Sequence, residues 1–93
     1  MKQIDYPITI TVHVDAEAKD APYVAYIPEF DVSSFGKTEQ KAVKNAKEAL
    51  HITLDEIKKE GNLDQFLENL GISKKDNTFI FPKVIVEQFR FSV

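Results

Sequence analysis

Residues 23–50, YVAYIPEFDVSSFGKTEQKAVKNAKEAL, switch from one apolar period to another, and that switch sets most of what this chain can become. Tyr23, Val24, Ala25, Tyr26 and Ile27 form a run with β preference that is apolar on both faces. Pro28 has no N–H for a ladder and ends that strand. Residues 32–35 suit a short third strand, with Gly36 expected to supply the unusual backbone angles of the turn that follows. From Thr38 the period becomes helical. Thr38 reads as the N-cap and Glu39 as a favourable first-turn carboxylate. Ala42, Val43, Ala46, Ala49, Leu50, Thr53, Leu54 and Ile57 share one stripe of a helix predicted over 39–60, ended by Gly61. The stripe begins with small residues, so the first turns are expected to lie close against the sheet.

The flanks extend this plan. Tyr6, Ile8, Ile10, Val12 and Val14 alternate with Pro7, Thr9, Thr11, His13 and Asp15, which predicts a strand over 6–15 with one buried face. A polar connection over 15–21 returns the chain to 23–27 as an antiparallel hairpin. After Gly61, Asn62 is a candidate cap for a short helix with Leu63, Phe66, Leu67 and Leu70 on its apolar face, closed by Gly71. Residues 73–77 read as a polar loop and 78–93 as an extended segment bent at Pro82. The predicted fold is α+β in the order β-β-β-α-(α)-β: an antiparallel three-stranded sheet packed on a long helix, plus a C-terminal strand. Residues 1–93 form a single domain, too short for two cores.

Composition excludes several kinds of chemistry. With no cysteine there is no disulfide, thiolate nucleophile or Cys-based zinc site. No apolar run reaches the ~18–20 residues of a membrane span. The start at Met1, Lys2 and Gln3 is not followed by a signal-peptide core, so the expected location is the cytoplasm with no membrane partner. His13 and His51 stand in no metal-ligand spacing. Asp5 and Asp15 sit at the ends of their strand, and Glu87 has no carboxylate companion. No phosphate-loop, nucleophile-elbow or zinc-helix motif occurs. The residues thus predict no catalytic group, no cofactor and no metal: a protein that is not an enzyme.

Net charge is −3, which disfavours an unspecific phosphate binder. The acidic excess lies in the first half of the chain, which carries Asp15, Glu17, Asp20, Glu29 and Asp31, and residues 74–93 are mildly basic. Helix lysines 41, 44, 47, 58 and 59 alternate with carboxylates, so that face is mixed. RNA binding through these lysines and the strand aromatics is the alternative reading.

Tyr23-Val-Ala-Tyr-Ile27, Pro28-Glu29, Gly36-x-Thr38, Ala42, Asn45 and Glu48-Ala49, in this order and spacing, resemble the HicB-like antitoxin family over residues 6–57. The resemblance implies a partial RNase H-like domain without the nuclease site. It also implies a partner, a small basic HicA-type mRNA-cleaving toxin whose catalytic histidine and RNA surface such a domain masks. Residues 62–93 resemble neither of the DNA-binding modules common in that family, so DNA is not an expected ligand.

Together these readings predict a non-catalytic binding domain of a toxin–antitoxin system. Asp15, Glu17, Asp20, Glu29 and Asp31 would supply charge complementarity, with Ser33 and Phe35 adding contacts near the sheet edge. A structural dimer with no toxin partner is a further alternative. Two apolar features exceed what one small core needs: Ile52, outside the helical stripe, and the Phe-rich C-terminal strand. A long apolar strand at a sheet edge invites aggregation unless it is paired. Pairing with a second copy predicts a homodimer through Phe79, Phe81, Ile85, Phe89 and Phe91.

Overall fold

A computed structural model describes residues 3–93; Met1 and Lys2, where the signal-peptide expectation begins, lie outside the described residues. Strands β1 (Thr11–Val14), β2 (Tyr23–Ile27) and β3 (Val32–Gly36) form an antiparallel sheet in the order β1-β2-β3. Helix α1 (Glu39–Lys59) and the short α2 (Leu63–Asn69) follow, and β4 (Ser73–Lys75) and β5 (Thr78–Ile80) make a separate antiparallel hairpin. The fold is α+β, as predicted. No helix among the described residues is long and apolar enough to cross a membrane.

The core is small because the residues that meet in it are small. Ala25 and Ile27 on β2 and Ala42 and Ala46 on α1 are completely buried and pack together. Register puts Val12 and Ser34 beside Ala25, and Val32 beside Ile27, so these side chains share the helix-facing side of the sheet. Thr38 caps α1 as predicted, with its Oγ1 accepting from the Lys41 N–H at 3.1 Å. Helix α1 lies chiefly across β3 and β2 and only lightly on β1. On its β3 flank, Asn45 Nδ2 donates to the Phe35 carbonyl at 2.9 Å. On the opposite flank Val43 and Leu50 stay half-buried beside Ile8, Ile10 and Val12.

A second apolar cluster ties the N-terminal segment to α2. The Tyr6 ring meets Phe30 edge-on at 5.9 Å, and Phe30 stacks on Phe66 at 5.8 Å. Tyr6 Oη also donates to the Leu70 carbonyl at 3.1 Å.

Five expectations change. The strand predicted over 6–15 pairs only from Thr11; Tyr6, Ile8, Ile10 and Val12 keep the predicted alternation of burial, whereas Val14, expected on the same buried face, is exposed at the end of the strand. Extending the register would place Pro28 opposite Thr9, and Pro28 has no N–H to give. Thr9 turns instead to the Glu29 side chain. The loop predicted over 73–77 is a strand and a tight turn: Asp76 and Asn77 both take positive φ (52° and 64°), the pattern of a two-residue type I′ hairpin. The strand predicted over 78–93 pairs only through Ile80, and residues 81–93 join no ladder among the described residues. Gly36 is needed for space, not for unusual angles, since a Cβ there would lie 2.6 Å from the Ala42 nitrogen. Asn62 precedes α2 as predicted, but its side chain makes no cap; its carbonyl accepts from Phe66 instead.

Candidate protein-docking face

Since Ala25 and Ile27 point toward α1, the alternate residues of β2, Val24 and Tyr26, point away from it. Register then builds two rows across the helix-free side of the sheet. Thr11, Tyr26 and Ser33 form one row, and His13, Val24 and Phe35 the other. Among the described residues no helix covers this side. Thr11, His13, Ser33 and Phe35 are exposed, and Phe35 keeps 63% of its surface in water. Phe35 stands on the edge strand β3, and an aromatic left this open is surface available for contact.

The carboxylates predicted for partner binding divide between the two ends of this grid. Asp15, Glu17 and Asp20 lie exposed in the β1–β2 connection. Glu29 and Asp31 lie in the β2–β3 turn, at the far end of β2, about 16 Å away at ~3.3 Å per residue. The two groups form no common patch; they bracket the aromatic rows. Asp15 Oδ1 accepts from the Glu17 N–H at 3.1 Å, which fixes the start of its loop.

Asp31 and Glu29 play different parts. Asp31 adopts φ 53°, a conformation Asp tolerates better than most residues. Its Oδ1 accepts from Tyr26 Oη at 2.9 Å, so the carboxylate is pinned over the outer row. That hydrogen bond, reinforced by desolvation and by the charges of Asp31 and Glu29, raises the Tyr26 pKa and keeps the phenol protonated as a donor. Glu29 is engaged internally: Oε1 accepts from the Thr9 N–H at 2.9 Å and Oε2 from Thr9 Oγ1 at 2.7 Å. Desolvation pushes its pKa upward, but the Thr9 hydrogen bonds outweigh it and hold the carboxyl below its ordinary value. Glu29 therefore clamps the N-terminal segment and has little left to offer a partner.

Ser33 and Phe35 lie on the same side of β3, in adjacent rows of the grid. Thr11, His13, Val24 and Tyr26 complete it and were not singled out from sequence, although the alternation of β1 and β2 carries their common side. The residues predicted for a dimer interface lie elsewhere, on β5 and the segment after it. Phe79 is half-buried, with Lys74 Nζ 5.7 Å from its ring centre. Phe81, Ile85, Phe89 and Phe91 are exposed, Phe89 by 85%.

His13 lies on the outer face and His51 on an exposed flank of α1. Among the described residues, no three His, Asp or Glu side chains converge as a metal site, and no buried polar side-chain atom lacks a hydrogen-bond partner. What the arrangement offers is contact, charge and hydrogen bonding over an open sheet.

No family model, curated protein or solved structure matches this chain.

Proposed function

We propose that this chain is a non-catalytic, HicB-like antitoxin-type domain with a partial RNase H-like fold, acting in the cytoplasm to mask a small basic HicA-type RNA-cleaving protein. One observation carries the reading: an uncovered sheet face with Tyr26 on its central strand, Phe35 on its β3 edge and carboxylates at both ends. A basic partner gains apolar contact from the rows and attraction from either end, which steers encounter and fixes orientation. Asp31, held by Tyr26, is the best-ordered acceptor for an incoming arginine or lysine. A partner of this kind would be inhibited by occlusion, which needs no chemistry from this chain.

The test is co-expression with any short basic protein encoded beside the gene for this chain. The two products are expected to co-purify at physiological salt, and the complex to stop RNA cleavage by the basic protein. Phe35→Ser is expected to weaken the complex by roughly 10–100-fold, as for an aromatic anchor. Failure of the pair to bind, or binding indifferent to Phe35→Ser, refutes the proposal. The exposed aromatics also favour a second reading, stacking on single-stranded RNA. That reading requires affinity for an oligoribonucleotide that falls steeply with salt; the acidic brackets oppose it.

A further inference from the structure

The chain holds an unpaired strand and an unpaired sheet edge that match each other. From Pro82, whose ring sits beside Gly71, the segment 83–93 has no helix and joins no ladder among the described residues. Residues 88–93, Gln-Phe-Arg-Phe-Ser-Val, alternate strictly, so Phe89, Phe91 and Val93 share one side and Gln88, Arg90 and Ser92 the other. The Phe89 and Phe91 rings stack on that side at 6.2 Å. The segment adds greatly to the size of the molecule. The Cα radius of gyration is 16.2 Å, against ~12 Å for a compact chain of this length.

The free edge belongs to β1. The Asp15 N–H points to the Pro22 carbonyl at 2.6 Å and the Thr9 N–H to Glu29, so both face the β2 side. Alternation then turns the N–H and carbonyl groups of Ile8, Ile10, Val12 and Val14 outward. At the other edge of the sheet, Asn45 already holds the Phe35 carbonyl. On α1 itself a shallow concavity runs along Val43, Lys47 and His51 between mostly polar side chains, and it shares His51 with an open apolar groove lined by Ile8, Phe30, Leu50 and Leu54 at the start of the β1 edge. A strand added at this edge lays its apolar side chains into that groove.

We propose that segment 83–93 of one copy adds as a fourth strand to the β1 edge of a second copy, reciprocally, forming a two-fold dimer. Phe89 and Phe91 cover the Val43–Leu50 flank of the neighbour's α1. Gln88, Arg90 and Ser92 align with Thr9, Thr11, His13 and Asp15. Lengths agree: the eleven residues of 83–93 span about 36 Å if fully extended, against about 33 Å for the edge over 6–15. Charge favours a second copy over a foreign strand, since the edge over 6–15 carries Asp15 and no lysine or arginine while segment 83–93 carries Lys83 and Arg90 against Glu87 alone. Area suffices as well. The exposures of Phe89 and Phe91 are 85 and 72%; at ~200 Å² per ring residue they offer about 300 Å² per tail. Two tails with the grooves they cover bury about 1,250 Å², the lower end of the range for a specific interface.

Sedimentation velocity on the intact chain tests this, and a dimer is expected at about 10–100 µM. Phe89→Glu/Phe91→Glu is expected to raise the dissociation constant by roughly a hundredfold or more while keeping the helical circular dichroism, since both rings lie outside the folded body. A monomeric wild-type chain, or a dimer unaffected by the double substitution, overturns the proposal. The absence of native cysteine allows a second measurement. Chains carrying His13→Cys and Arg90→Cys are mixed and joined with a short bis-maleimide. The mixed product is expected to dominate; a product formed only between two Arg90→Cys chains shows tail-on-tail pairing and overturns the edge exchange.

Discussion

Gly36→Ala isolates how closely α1 approaches the sheet. A Cβ at this position would sit 2.6 Å from the Ala42 nitrogen, 2.8 Å from the Lys41 carbonyl carbon and 2.9 Å from Lys41 Cβ. Two of these neighbours are backbone atoms in the first turn of α1, and that turn is anchored by the Thr38 cap and by Ala42, which is fully buried. No rotamer change relieves the overlap, so the helix must retreat from β3 or the strand must bend. Overpacking against fixed neighbours costs about 1–3 kcal/mol, and a backbone collision belongs at the upper end. For a domain this small, about 3 kcal/mol corresponds to ~12–24 °C in Tm. Gly61→Ala is the control: its Cβ meets nothing within 4 Å, and only φ +76° resists it, at about 1 kcal/mol. Thermal unfolding followed at 222 nm compares the two. Ala42→Gly in the Gly36→Ala background is expected to give no rescue, since the collision is with main chain. If Gly36→Ala melts no lower than Gly61→Ala, the close approach is not a constraint and the packing argument falls.

Glu29→Gln replaces the acceptor of both Thr9 bonds and is expected to lower stability by about 1 kcal/mol, measured by urea unfolding at neutral pH. The Glu29 pKa is depressed in the folded chain. Its contribution is therefore present above the unfolded carboxyl value and is lost as pH falls through the folded one, so the gap between wild type and Glu29→Gln should close in acid. An equal gap at pH 7 and pH 3 would exclude the clamp. Phe30→Ala removes the ring between Tyr6 and Phe66. It is expected to cost about 2–4 kcal/mol, with hydrogen exchange rising first in the N-terminal segment and α2. Uniform loss of protection across the sheet would show that the aromatic trio is not a separate seam.

The elements easiest to read were those whose local chemistry and periodicity agree. Thr38, the Ala42–Ala46 stripe and the left-handed Gly61 each carry the same message at two levels, and α1 follows. The hairpin β4–β5 was hidden because Ser73, Lys74 and Lys75 have weak strand preference; only the Asp76-Asn77 pair, tolerant of positive φ, hinted at a turn. The shortened β1 was legible only after knowing its register, since Pro28 acts on Thr9 across the sheet. The docking face was half legible. Alternation separates Val24 and Tyr26 from Ala25 and Ile27, yet both sets are apolar, and sequence does not say which side a helix will take. The small volume of Ala25 against Ala42 and Ala46 decides it. The acidic residues looked like one cluster because they are near in sequence, whereas a five-residue strand holds them at opposite ends.

The two proposed surfaces use opposite properties of the same thin sheet, which is why both fit on one small chain. A three-stranded sheet with one helix across β2 and β3 leaves β1 under-covered on its inner side and all three strands bare on the outer side. Strand exchange answers the first deficit by putting Phe89 and Phe91 against the exposed flank of α1. It leaves the outer rows untouched, and by the same alternation it sets Gln88, Arg90 and Ser92 of the neighbouring copy beside Thr11 and His13. The docking face then becomes four strands wide and belongs to two chains, with Arg90 placed between carboxylates at the ends. A basic partner seated on Tyr26 and Phe35 would meet that arginine at the β1 side and the acids elsewhere, so the dimer would bias the partner's footprint toward β2, β3 and the Asp31 turn.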